Sequence, residues 1–246
     1  MIDWEQVGNE MPVKRSKNQE QPIMLSTEDQ DFISNEMSIS LAFISSKLSE
    51  HALLPYTDRL ESAISFFIRS ILAQNKSGYF FPEGSFQLSP AQVQINNYSA
   101  KLSEDLSGTE ALPILDTLRY AFSLFARNGL HELFTCQENV GWYPKVILKK
   151  ELRPNDISDL PSLVTLYRGT DIAEHNTSSY GQSWTTCKEI AHLFAFKHYV
   201  GEPSFEVDNR VILITKISKE HAYFSNQTGE FEVVIDVGKI SHVEVV

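Results

Sequence analysis

The sequence predicts an α+β fold, helical first and β-rich later. Three observations point there. Between residues 33 and 125 apolar side chains recur at helical spacing. From Leu163 onward they fall in short runs rich in β-branched residues. Cap and stop residues punctuate the helical part where that spacing begins and ends.

Residues 1–25 are polar and poorly patterned, with the run Lys14-Arg15-Ser16-Lys17-Asn18-Gln19-Glu20, and read as a flexible or partner-ordered arm. Thr27 and Gln30 resemble a capping box. Ile33, Met37, Leu41, Ile44 and Leu48 follow at helical spacing, so one helix is expected there. Leu60, Ile64, Phe67, Ile71 and Leu72 mark a second helix, stopping near Gly78. Ser89-Pro90 puts a capping serine before a proline at the first helical position, ahead of Ile95, Tyr98, Leu102 and Leu106. Another helix starts near Thr109, carries Leu115, Leu118, Phe122 and Phe125, and ends at Gly129. These stripes face a core, and residues 26–155 form a helical region. In 156–246 the expected strands are 163–167, 179–185, 211–217, 231–237 and 240–246. One helix, about 187–199, interrupts them with Ile190, Leu193, Phe194 and Phe196.

The 246 residues suit one large domain or two small ones, and a hydrophobic share of 42% suits a soluble globular protein. No apolar run approaches the ~20 residues of a membrane helix, so no membrane association is expected. Met1-Ile2-Asp3-Trp4-Glu5 does not open like a basic-then-apolar signal peptide, and Cys136 and Cys187 make no disulfide framework. A cytoplasmic location is therefore expected, with export by another route compatible. The net charge of −11 disfavours non-specific nucleic-acid binding and favours a partner with a basic face. The seven histidines show no metal-ligand spacing, so no metal is expected. No Gly-x-Gly-x-x-Gly fingerprint is present.

Three short motifs carry chemistry. Leu166-Tyr167-Arg168-Gly169-Thr170 ends an apolar run; Arg168 offers a planar fork for phosphate oxygens, and Gly169 allows close backbone approach. In Gly181-Gln182-Ser183-Trp184-Thr185-Thr186, Ser183 and Thr185 share a strand face and Trp184 points the other way, into the core. In Thr228-Gly229-Glu230-Phe231-Glu232-Val233, strand periodicity puts both carboxylates on one face and Phe231 in the core. Two carboxylates so close raise one pKa unless a cation or polar ligand lies between them.

The order arginine, Ser-x-Thr, Glu-x-Glu within roughly eighty residues resembles the Arg–Ser–Glu clade of NAD-dependent mono-ADP-ribosyltransferases, which includes clostridial binary toxins and vertebrate ecto-enzymes. The resemblance covers about residues 163–246. It implies a split β-sandwich catalytic core over 156–246, with NAD as co-substrate. It implies that Arg168 binds NAD and that the backbone of Gly169 holds the nicotinamide carboxamide. Ser183 then orients the catalytic Glu232, Thr185 supports the strand on the cofactor side, and Glu232 stabilises an oxocarbenium-like ribose. Glu230 matches the position that prepares an incoming guanidinium, a poor nucleophile while protonated. Tyr223 and Phe224 lie in the segment that presents the target. Where the family often has Ser-Thr-Ser this chain has Ser-Trp-Thr, which keeps the outer hydroxyls. No segment matches the family's clamp on the far side of nicotinamide; Tyr180 and Phe194 are candidates.

The implied activity is transfer of ADP-ribose to a macromolecular acceptor, with protein arginine favoured over nucleic acid, in a toxin or effector. An antitoxin or inhibitor protein is a further expected partner. Modification of RNA or DNA and NAD hydrolysis are alternatives within the enzyme class. A helical binding module with an inactive β half is the alternative outside it. Retention of Arg168 and Glu232 weighs against that last reading.

Overall fold

The structure, a computed structural model, describes residues 25–80, 87–138, 142–201 and 205–246. The expected arm, apart from Leu25, lies outside the described residues. The chain divides into two compact units, one ending at Ile147 and the other spanning Leu148–Val246.

The first unit is helical. Helix α1 (Thr27–Asp31) is capped by Ser26, whose hydroxyl accepts from the Asp29 N–H at 3.1 Å. The cap thus lies one residue before Thr27, and the Gln30 side chain donates to the Leu25 carbonyl instead of closing a capping box. The single helix expected over the following stripe is broken. A π-turn covers Phe32–Glu36, Ser38 adopts a left-handed φ of 54°, and Ile39 bridges to Val146 before α2 (Leu41–Leu48) begins. The break lets Ile33, Met37 and Ile39 all be buried, which overrides local periodicity.

Helix α3 (Thr57–Lys76) stops ahead of Gly78, which has φ +68°. Helix α4 (Pro90–Leu106) opens on a reciprocal Ser89–Gln92 capping box. Helix α5 (Ala111–Thr135) loses helical geometry at Asn128 and Gly129, then resumes to Thr135. Gly129 therefore breaks the helix as expected, but a further segment follows it. The three helices pack through Phe66, Phe67, Tyr98 and Phe122, with Phe67 and Phe122 rings 5.6 Å apart. Each buried phenylalanine contributes roughly 1.5–3 kcal/mol. Gln74 in α3 donates to the Ala126 carbonyl and accepts from the Ala91 N–H, so its buried amide is satisfied across both neighbouring helices.

The second unit holds β1 (Leu163–Asp171), α6 (Ile172–Thr177), β2 (Ser183–Thr185), α7 (Lys188–Phe196), β3 (Arg210–Ser218), β4 (Ala222–Asn226), β5 (Glu232–Ile235) and β6 (Glu244–Val245). The strands form one antiparallel sheet in the order β4-β5-β2-β1-β3-β6. Strands β1 and β3 pair throughout, from Leu163↔Ser218 to Asp171↔Arg210. By contrast, β1 and β2 share a single pair, Tyr167↔Thr185. The outer edge of β4 is covered by the segment before the sheet: the Leu152 and Asp156 N–H groups donate to the Tyr223 and Ser225 carbonyls.

One sheet face buries Val164, Leu166, Trp184, Leu213, Val233 and Ile235. The other carries α7, whose Ala191 and Ala195 pack with Ile212 and Tyr167. Gly169 makes that approach feasible. A Cβ there would overlap the Ala191 carbonyl oxygen and lie 2.5 Å from the Ala195 nitrogen, both backbone atoms. The glycine thus makes room for a helix on its side-chain face.

Four elements differ from expectation, the first being the strand expected over 240–246, which shrinks to Glu244–Val245. Strand β2 is three residues long because Ser178 closes α6 in the left-handed conformation and the chain must turn before Ser183. Strand β4 was expected as a target-presenting loop; a bulge between Ala222 and Phe224 hides its alternation. Strand β5 starts at Glu232, because Phe231 has a left-handed φ of 53°.

Candidate active site

Strands β2 and β5 pair with Thr185 opposite Glu232 and Ser183 opposite Val234. Ser183 and Glu232 are thus diagonal neighbours on one face, within reach of each other. The Ser183 hydroxyl donates to Glu232 Oε1 at 2.5 Å, a charge-assisted bond that fixes the carboxylate. Oε2 accepts no hydrogen bond from a described residue and can receive a ligand hydroxyl. Burial pushes the Glu232 pKa up, the Ser183 bond opposes that, and the Glu230 charge adds to it.

Glu230 reaches the site by a different route from the one expected. It is exposed and lies in the turn before β5, not on the strand. Phe231, expected in the core, is 39% exposed. With Phe231 left-handed, strand periodicity does not extend back to Glu230. The two carboxylates still lie near enough to interact, because the turn is pinned. The Thr185 hydroxyl donates to the Glu230 carbonyl at 2.8 Å and accepts from the Cys187 N–H at 3.1 Å. Thr185 is buried, so its hydroxyl supports the turn and is spent on backbone.

Gln227 is the second pin, absent from the sequence expectations. Its N–H donates to Asp156 Oδ2, its side-chain oxygen accepts from the Thr186 hydroxyl, and its side-chain nitrogen donates to Ser225 Oγ and the Glu232 carbonyl. Nothing in a polar loop sequence singles out one glutamine for this. Neither expected target-facing aromatic is presented to a target, although Phe224 pairs with Val234 and so shares the sheet face of Ser183 and Glu232. Phe224 is 3% exposed, inside the core, and the Tyr223 hydroxyl has its pKa raised by burial and by the neighbouring Asp236. Phe231 is the aromatic that stands at the turn; Asn226-Gln227-Thr228-Gly229 is the turn signal that could have found it.

Arg168 enters from the opposite face. Tyr167 pairs with Thr185, so the next residue leaves the side away from Ser183. Its guanidinium crosses where the strands part and donates from Nη1 to the Ser183 carbonyl at 2.7 Å. Nε and Nη2 donate to the two oxygens of Glu174, at 2.9 and 2.8 Å. Glu174, six residues on in a short helix, carries no sequence signal of its own. Beyond the Tyr167↔Thr185 pair, Gly169 and Ser183 are next and do not pair, so the backbone edge of Gly169 on that side is outside the ladder.

Of the two far-side candidates, Tyr180 packs against the Trp184 ring at 6.1 Å and belongs to the core margin. Phe194 in α7 packs at a tilt against His198 just past the helix, with ring centroids 4.9 Å apart. Cys136 and Cys187 are both free thiols. Among the described residues no cluster of three or more His, Cys, Asp or Glu could hold a metal ion, and no helix is long and apolar enough to cross a membrane. No protein-family model matches the chain, and neither a curated protein nor a solved structure does.

Proposed function

We propose that the Leu148–Val246 unit is a split β-sandwich mono-ADP-ribosyltransferase acting on NAD. The observation that carries this is the Ser183–Glu232 bond at 2.5 Å, formed between residues forty-nine positions apart, with Arg168 held on the carbonyl of that same serine. Those are the three residues the resemblance selects. All six strands join in one sheet, and this reading puts the split at the single-pair seam between β1 and β2.

In this reading Glu232 Oε2 accepts a ribose hydroxyl of NAD. The bond between the ribose anomeric carbon and nicotinamide breaks, and nicotinamide leaves neutral with the bonding electron pair. The carboxylate stabilises the positive charge left on the ribose. Glu230, exposed at the turn, takes the proton from an incoming guanidinium, whose nitrogen then bonds the anomeric carbon. Phe231 beside it offers a flat apolar surface to the acceptor. The unpaired backbone edge of Gly169 supplies polar groups for the nicotinamide carboxamide.

Protein arginine fits best as acceptor: two carboxylates face it, and the chain carries a net charge of −11. A toxin or effector role, with an antitoxin or inhibitor protein as partner, rests on the resemblance alone. The test is incubation of the full chain and labelled NAD with cell lysate, followed by protease or nuclease. Label released by protease and resistant to nuclease is expected. Label released only by nuclease would replace the arginine acceptor with nucleic acid.

A further inference from the structure

The three side chains of the resemblance do not account for the best-made ion pair of this unit. Arg168 and Glu174 meet through two parallel hydrogen bonds, at 2.9 and 2.8 Å, and both are about three-quarters buried. The pair is built in from several sides. Asp171 caps α6 by accepting from the Ala173 N–H, which sets Glu174 in the first turn. The Gly181 N–H donates to Glu174 Oε2 at 3.3 Å. Gly181 also lies flat against the guanidinium: a Cβ there would sit 2.5 Å from Nη2. Burial disfavours charge on Glu174, but Arg168, the Thr170 hydroxyl and the Gly181 N–H together hold its pKa below the usual glutamate range.

An arginine carries five N–H donors. Three are engaged, two with Glu174 and one with the Ser183 carbonyl. The two left over sit one on each terminal nitrogen, which is what a single phosphate needs for a bidentate grip. Held this way, Arg168 has one orientation, and the strand it grips carries the hydroxyl bonded to Glu232. Glu174, Arg168, Ser183 and Glu232 thus form one continuous chain of contacts across a seam that backbone pairing barely closes.

We propose that Glu174 is a positioning residue, clamping Arg168 so that its two remaining N–H groups face a phosphate of the nucleotide while its third bond holds β2 in register. This rests on the reading of the site as an NAD site. The opposite role, a latch that blocks Arg168 and must be displaced by NAD, makes the opposite prediction for affinity.

The experiment compares the full-length protein with its Glu174→Gln and Glu174→Ala forms, measuring kcat and KM for nicotinamide release. A clamp predicts that KM for NAD rises by about tenfold or more in Glu174→Ala, exceeding the fall in kcat, with Glu174→Gln intermediate because one oxygen still accepts. A lowered KM would overturn the clamp in favour of the latch. An unchanged KM with only a lowered unfolding temperature would overturn it in favour of a purely structural pair. In parallel, the Arg168 Nε–H resonance, assigned by its absence from Arg168→Lys, is followed by NMR. The clamp predicts a slowly exchanging signal that is lost in Glu174→Ala. If the wild type releases no nicotinamide, the NAD reading falls, and the clamp stands or falls on this resonance and on whether pyrophosphate shifts it only when Glu174 is present.

Discussion

At the scale of single residues, the proposed division of labour between Glu230 and Glu232 rests on where they sit. Glu232 is fixed by Ser183 and its pKa is raised, first by burial and in part by the charge of Glu230. Glu230 is exposed on a pinned turn. Glu230→Gln should therefore remove most label transfer to protein while leaving much of the nicotinamide release, since water can replace the acceptor. The same variant removes a charge that raises the Glu232 pKa. The proposed chemistry needs ionised Glu232, so nicotinamide release should fall as pH drops through that pKa. The acid limb of the nicotinamide-release profile should accordingly lie above the ordinary glutamate range in wild type and move to lower pH in Glu230→Gln. Equal loss of transfer and hydrolysis, or an unmoved limb, would contradict the division.

The residue types of this site were legible in the sequence, and their supports were not. Arg168, Ser183 and Glu232 could be chosen because their order along the chain is distinctive. Glu174 and Gln227 act through contacts that only the folded sheet creates. Strand periodicity extended back from Glu232 assigns Phe231 to the core, but the left-handed φ of Phe231 ends the strand at Glu232.

At the scale of elements, the decisive contact is α7 on β1. The helix comes so close that Ala191 and Ala195 meet the backbone at Gly169. Because the clashing atoms are backbone, no side-chain rotation relieves them. Gly169→Ala should destabilise the protein by roughly 1–3 kcal/mol, as overpacking does, read as a lowered urea midpoint at unchanged slope. Stability equal to wild type would mean that α7 can shift outward freely. The helices of the first unit were readable because their caps are local: Ser89-Pro90 and Gly78 each act within a turn. Strand β4 was not readable, because its bulge and its cover over the Tyr223 and Ser225 carbonyls depend on residues far away in sequence.

At the scale of the whole molecule, the chain separates its labour by segment. Every side chain assigned to the site lies in the unit Leu148–Val246, and the unit ending at Ile147 is built of helices with their own aromatic core. The change from helical to strand spacing puts the expected boundary after residue 155, whereas the compact units part between Ile147 and Leu148. The central claim is that Glu232 drives cleavage of NAD, and the most direct measurement is nicotinamide release by the full-length protein beside its Glu232→Gln form. Because the native state holds a proton on Glu232 more tightly than the unfolded chain does, the ionised carboxylate costs stability above the ordinary glutamate range. The variant should therefore unfold at neutral pH no more easily than wild type, while its release rate falls by on the order of a hundredfold or more. Release at the wild-type rate from a normally folded Glu232→Gln protein would contradict the account.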